Sequence, residues 1–219
     1  MHVTTPQQKI QKTKILGGET VSIQLVGDYF DACLNAAQKF CQEQGAHFLS
    51  PFDDADVMEG QASVAVEIER QLGSTPDHII LPVGGGGLSS GMLSYFGTSS
   101  QFTLVEPLGG ACLWAALIAG KPVKLDKVDT FADGAAVGQI GQRTFECLKS
   151  IGLANVLRIP EDRICITMLE MLNIEGIVLE PAGALAIDAL QDLGQMIRGR
   201  KVVCVSSGGN FDFERLPEV

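Results

Sequence analysis

Four consecutive glycines, Gly84 to Gly87, follow the apolar stretch His78-Ile79-Ile80-Leu81-Pro82-Val83 and run on into Leu88-Ser89-Ser90-Gly91. The apolar stretch predicts a buried strand and the residues after the glycines predict a helix. Without Cβ atoms the connecting backbone can turn sharply and bring bare N–H groups against a ligand. The positive end of the following helix points at the same place, so an anion, above all a phosphate, is the expected guest. The plain alternative is a flexible glycine hinge.

The rest of the chain suits such a cradle. It has 219 residues, 46% of them hydrophobic, 19% charged, with 25 glycines, the profile of an α/β protein with a substantial core. No apolar run reaches membrane-spanning length, and the polar stretch 1–9 lacks the apolar segment of a signal peptide. The expectation is a cytoplasmic protein without a membrane partner. A net charge of −10 lacks the basic footprint that nucleic acid requires. Cys33, Cys41, Cys112, Cys147, Cys165 and Cys204 form no C-x-x-C pair, which suits reduced thiols. His2, His47 and His78 give no metal-ligand spacing with them.

Periodicity predicts alternating elements. Helices are expected over 6–16, 29–44, 57–72, 112–119, 140–151, 161–173 and 180–193, with another after the glycines. Strands are expected over 20–26, 46–49, the stretch before the glycines, 101–106, 155–159 and 201–205. This order implies an α/β fold: a parallel or mixed sheet with helices on both faces and ligands beyond the carboxyl ends of the strands. The loop 50–56 is the expected domain boundary, separating 1–50 from 51–219.

Two familiar chemistries meet obstacles. Dinucleotide binding would use Glu106, at the end of the next strand, as a ribose-binding acid. The G-x-G-x-x-G fingerprint, however, meets Ser89 or Ser90 where its third glycine should stand. Gly87-Leu88-Ser89-Ser90-Gly91 matches G-x-S-x-G, but all three histidines precede Ser89 and none can follow it as base.

An ordered set of motifs carries a further reading. Thr4-Thr5-Pro6-Gln7-Gln8-Lys9, Pro51-Phe52-Asp53, Gly60-Gln61-Ala62-Ser63, Pro82 to Leu88, Ala132-Asp133-Gly134, Glu180-Pro181-Ala182-Gly183-Ala184 and Ser207-Gly208-Gly209-Asn210 run through nearly the whole chain. In this order and spacing the chain resembles the catalytic domain of the threonine dehydratase (threonine ammonia-lyase) and serine dehydratase family, fold type II enzymes of pyridoxal 5′-phosphate.

The resemblance implies a cofactor phosphate held by the backbone of Gly84, Gly85, Gly86, Gly87 and Leu88. It implies Gly134 close to the cofactor ring with Asp133 beside it, and Glu180 near the ring. Ser207 would bond the pyridine nitrogen, with Gly208 adjoining. Each has a plain alternative: a helix N-cap for Ser207, a turn acid for Asp133, a first-turn acid for Glu180. The implied activity is deamination of threonine or serine to a 2-oxo acid and ammonia.

The sequence departs from the family at Gly60-Gln61-Ala62-Ser63, where Gly-Gln-Gly-Thr is usual. The family's Schiff-base lysine motif is absent, and so is its asparagine-bearing segment. None of Lys9, Lys12, Lys14, Lys39, Lys121, Lys124, Lys127, Lys149 and Lys201 has a setting suited to replace that lysine. The expectation is therefore an N-terminally truncated catalytic domain with 1–50 as a remnant of the smaller domain, inactive alone. It would self-associate or join a separate N-terminal half. A non-catalytic phosphate-binding or assembly module and a dinucleotide-binding domain stand beside this reading.

Overall fold

A computed structural model describes residues 1–3, 5–27 and 30–211. The described residues separate into two compact units, Met1–Leu49 and Ser50–Phe211.

In the smaller unit α1 spans Gln7–Gly17 and stops at Gly18, whose φ of 52° suits a residue without a side chain. Helix α2 spans Phe30–Gln44 and ends before Gly45, which has a φ of +63°. Thr4 and Tyr29, named in the expected motif and helix, lie outside the described residues. The strands expected over 20–26 and 46–49 are not formed. The first stretch is extended at Val21, but among the described residues its N-terminal neighbour supplies isolated bonds, Val3 N–H to Gly27 O (2.8 Å), Val26 N–H to Met1 O (2.9 Å) and the Met1 ammonium to Gln24 O (2.8 Å). Alternation alone makes no strand without a continuous ladder.

The larger unit opens with α3 (Ala55–Gln61), capped by the Asp54 carboxylate, which accepts from the N–H groups of Asp56 (2.9 Å) and Val57 (3.3 Å). Helix α4 (Ser63–Leu72) follows at once. The single helix expected over 57–72 is thus broken at Ala62, where a non-local contact arrives. A Cβ on Gly91 would lie 2.5 Å from Met58 O and 2.8 Å from Ala62 N, so another helix presses its backbone on the junction.

The core strand β1 (His78–Pro82) comes next, with Ile79, Ile80 and Leu81 fully buried. It leads through the glycines into α5 (Gly87–Phe96), then β2 (Gln101–Pro107) and α6 (Cys112–Ala119). Helix α7 (Gln142–Leu148), β3 (Val156–Ile159), α8 (Glu161–Glu170), α9 (Pro181–Asp188), α10 (Leu190–Leu193) and β4 (Val202–Cys204) complete the unit.

The four strands form one parallel sheet in the order β3-β2-β1-β4. Ile80, Val105 and Ile159 join Ile164 and Met168 of α8 and Ala182 and Leu185 of α9 in one buried cluster on one face. Ile79, Leu81 and Leu104, also fully buried, alternate to the opposite face. There α5 is tied to the sheet by Ser89 Oγ donating to Pro82 O (3.3 Å). From β1 the chain steps outward to β2 and β3, then returns to the far side of β1 with β4. Ligands in open parallel sheets sit at such a reversal, beyond the strand ends. No helix among the described residues is long and apolar enough to cross a membrane.

Two buried carboxyl groups join these elements. Asp188, with no exposed surface, accepts from Arg163 Nη2 (2.6 Å), Thr167 Oγ1 (2.9 Å) and Gln191 Nε2 (3.4 Å), fastening α8 to α9. Replacing it by alanine leaves the buried Thr167 hydroxyl without its acceptor and the half-buried Arg163 with Asp192 alone as its ion-pair partner. Asp188→Ala is expected to lower unfolding stability by about 3 kcal/mol, read from urea denaturation by the fluorescence of the single tryptophan, Trp114.

Glu106, equally buried, caps α6 by accepting from the N–H groups of Leu113 (2.7 Å) and Trp114 (2.9 Å). Burial outweighs these bonds and the nearby Arg158 and pushes its carboxyl up to about 7. The folded chain therefore keeps a proton that the unfolded chain releases above the ordinary value of 4.5. Its contribution is present below that value and is lost as pH rises through about 7. Urea midpoints measured across this window should fall with rising pH in the parent, and the slope should flatten in Glu106→Gln.

Candidate functional site

The expected site residues fall on loops beyond the carboxyl ends of β1 and β4, and on two further segments that meet them. Gly84 and Gly85 leave β1 half-buried, while Gly86, with φ of 89°, caps α5 from the left-handed region that L side chains avoid. Among the described residues, the N–H groups of Gly84 to Leu88 donate to no protein acceptor. These are the free donors of a helix start and the loop before it.

Each glycine is held where a side chain would collide. A Cβ on Gly84 would stand 3.1 Å from Ala135 Cα and 3.3 Å from Gly134 O. One on Gly85 would meet the Phe52 ring at 2.2 Å, and one on Gly86 would meet Thr144 Cβ at 2.9 Å. The loop is thus packed from one side by Gly134-Ala135 and from others by Phe52 and Thr144.

The close approaches continue from there. A Cβ on Gly134 would come within 2.9 Å of Glu180 Oε1, and one on Gly208 within 2.2 Å of the same oxygen. The Glu180 carboxyl therefore lies between two bare backbones. Its own N–H donates to Gly208 O (3.0 Å), and Gly183, in the first turn of α9, admits the same carbonyl, 2.2 Å from where its Cβ would be. Gly84, Gly134, Glu180 and Gly208 thereby form one continuous series of contacts. Ser207 lies next to Gly208 in the exposed loop after β4, which Val205 N–H ties to Ile80 O of β1 (2.9 Å). Asp133 is half-buried beside Gly134.

The dinucleotide reading loses its acid here. Glu106 has no exposed surface, and both its oxygens are taken by the start of α6, so it cannot reach a ribose. Ser89 is buried with its hydroxyl turned back to Pro82 O, away from any nucleophilic position. Eight of the lysines are exposed and Lys9 is half-buried. No three His, Cys, Asp or Glu side chains among the described residues are placed to share a metal ion.

Several supporting residues had no functional reading in the sequence. Asp53 accepts from the N–H groups of Gln142 (3.1 Å), Arg143 (2.7 Å) and Thr144 (3.2 Å), capping α7. Thr144 Oγ1 donates to Gly85 O (2.8 Å). Cys112 Sγ donates to Gly84 O (3.4 Å). Asp53 stood within a quoted motif; nothing local marked Thr144 or Cys112, because their partners lie 59 and 28 residues away.

Comparison with known proteins agrees with this geometry. A family profile described as pyridoxal-phosphate dependent enzyme matches residues 1–208. The chain is 42% identical to the biosynthetic L-threonine dehydratase of Bacillus subtilis, across 100% of this chain and 52% of that protein. It is 40% identical to the counterpart of Lactococcus lactis, across 100% of this chain and 54% of that one. The chain thus spans about half the length of the curated relatives it matches. Among solved structures, the processed form of threonine deaminase isoform 2 from Solanum lycopersicum superposes with a TM-score of 0.87 and 34% identity, covering 100% of this chain and 64% of that one. Maize serine racemase shares the fold, with a TM-score of 0.85 at 24% identity, covering 99% of this chain and 66% of that one. A glycine-lined cradle beyond the end of β1, on a chain matched from residue 1 to residue 208, places this protein in the pyridoxal-phosphate dependent enzyme family.

Proposed function

We propose that this chain carries the phosphate grip and the ring-facing wall of a threonine dehydratase-like lyase, with Ser50–Phe211 as the cofactor-binding unit and Met1–Leu49 as part of a smaller domain. The observation that supports it best is the run of N–H groups from Gly84 to Leu88 without an acceptor among the described residues, at the start of α5 and beside the sheet's reversal point.

The residues present fit the cofactor. The backbone of Gly84, Gly85, Gly86, Gly87 and Leu88 would hold its phosphate. Gly134 and Gly208 pack bare backbone against the Glu180 carboxyl, which would lie near the ring. Ser207 would offer the ring nitrogen a neutral hydroxyl, which does not hold that nitrogen protonated as a carboxylate would. Bound pyridoxal phosphate supplies an electron sink for the α-carbon of an amino-acid substrate. The substrate in this reading is threonine or serine, whose β-hydroxyl is lost.

None of the nine lysines is buried, so this reading assigns the chain a grip on the cofactor without its covalent anchor. On its own the chain is expected to release no ammonia from threonine above background.

Equilibrium titration followed through Trp114 quenching tests the grip. Pyridoxal phosphate should bind saturably, inorganic phosphate should compete, and pyridoxal without its phosphate should bind at least about tenfold more weakly. Gly84→Val should weaken binding at least about tenfold with far-UV circular dichroism unchanged, since its side chain would press on backbone at Ala135. Equal affinity for pyridoxal and pyridoxal phosphate would refute the reading. Borohydride trapping then separates the two remaining possibilities: no lysine adduct supports the non-covalent grip, whereas a trapped lysine restores covalent catalysis.

A further inference from the structure

We propose that Cys112 and Thr144 are positioning residues for the phosphate cradle, each pinning one peptide of the glycine loop from behind, and each set in place by a carboxyl group capping its helix. This rests on the phosphate-binding reading above. In a trans peptide the C=O and the N–H of one unit point in opposite directions, so fixing the carbonyl aims the amide. Cys112 Sγ lies 3.4 Å from Gly84 O and is also hydrogen-bonded to the Glu106 carboxyl; its contact with Gly84 O aims the N–H of Gly85. Thr144 Oγ1 lies 2.8 Å from Gly85 O and 3.2 Å from Gly141 O; the shorter contact aims the N–H of Gly86. Neither amide has an acceptor among the described residues.

Glycine makes such pins necessary. Without side chains the loop can rotate its peptides freely, and a cradle whose donors wander loses its ordering advantage on binding. The same construction occurs twice. Glu106 accepts from Leu113 and Trp114 and sets the start of α6, which carries Cys112. Asp53 accepts from Gln142, Arg143 and Thr144 and sets the start of α7, which carries Thr144. The two pins reach adjacent peptides from different helices, and β2 and the loop before α3 supply the carboxyl groups.

Amide order parameters and pyridoxal phosphate affinity, measured on the whole chain, test this together. Thr144→Val should weaken binding about fivefold and Cys112→Ala about threefold, the smaller loss reflecting a weaker thiol donor. Thr144→Ser and Cys112→Ser, which keep a donor, should restore most of the affinity. Without ligand, Cys112→Ala should lower the order parameter at Gly85 and Thr144→Val at Gly86, toward the value of about 0.6 seen in mobile backbone. Glu106→Gln should weaken binding as Cys112→Ala does and add nothing when combined with it. A merely structural Glu106 would add its loss in full, which refutes its part. Unchanged order parameters at Gly85 and Gly86 overturn the pinning itself. Should the parent bind no pyridoxal phosphate, the phosphate reading falls, and the order parameters still decide whether the pins act.

Discussion

The hydrogen bonding of β1 along both edges is the constraint from which the rest of the larger unit follows. His78 to Pro82 pair in parallel with Gln101 to Val105 on one side, and His78 to Ile80 pair with Val202 to Cys204 on the other. A strand so enclosed has both faces covered, which favours apolar side chains, and the polar one it buries, His78, is hydrogen-bonded to Thr103 Oγ1 (2.8 Å). Ile79, Ile80 and Leu81 meet that preference with no exposed surface. Because β2 and β4 flank it in parallel, the loops after β1 and β4 leave the sheet side by side. The glycine loop and the loop that carries Ser207 follow neighbouring strands for this reason, although more than a hundred residues separate them.

At that edge the packing is backbone against backbone. Gly84 meets the Gly134-Ala135 peptide, Gly134 and Gly208 meet the Glu180 carboxyl, and Gly183 meets the Gly208 carbonyl. A methyl group at any of these positions would need 2.2 to 3.1 Å of space that another segment occupies. Close backbone approach explains why the motifs are glycine-built. It also brings four segments together at one end of the sheet. Carboxyl groups at Asp53 and Glu106 serve the same end at one remove, by fixing helix starts.

Local patterns made some of this legible and hid the rest. The apolar run before the glycines, the helix after them, and the strands near 101–106 and 155–159 follow from burial and period, which are written into adjacent residues. The stretches 20–26 and 46–49 carry strand-like patterns without forming strands, because a ladder depends on a partner that the local sequence does not specify. The break at Ala62 has a similar origin: the pressure comes from Gly91, on another helix. Glu106 looked like a strand-end acid available to a ligand, yet the start of α6 folds over it and takes both oxygens.

The sequence by itself determined the α/β class, the glycine turn between β1 and α5 and, through its ordered motifs, the family and its cofactor, because those features reside in residue types at short spacing. Only the tertiary structure decided which backbone amides stand free and which side chains hold them. Cys112 to Gly84 O and Thr144 to Gly85 O are contacts between distant segments, and no local pattern encodes them. Their partners are selected by how helices pack on the sheet, and that selection is made across the whole fold.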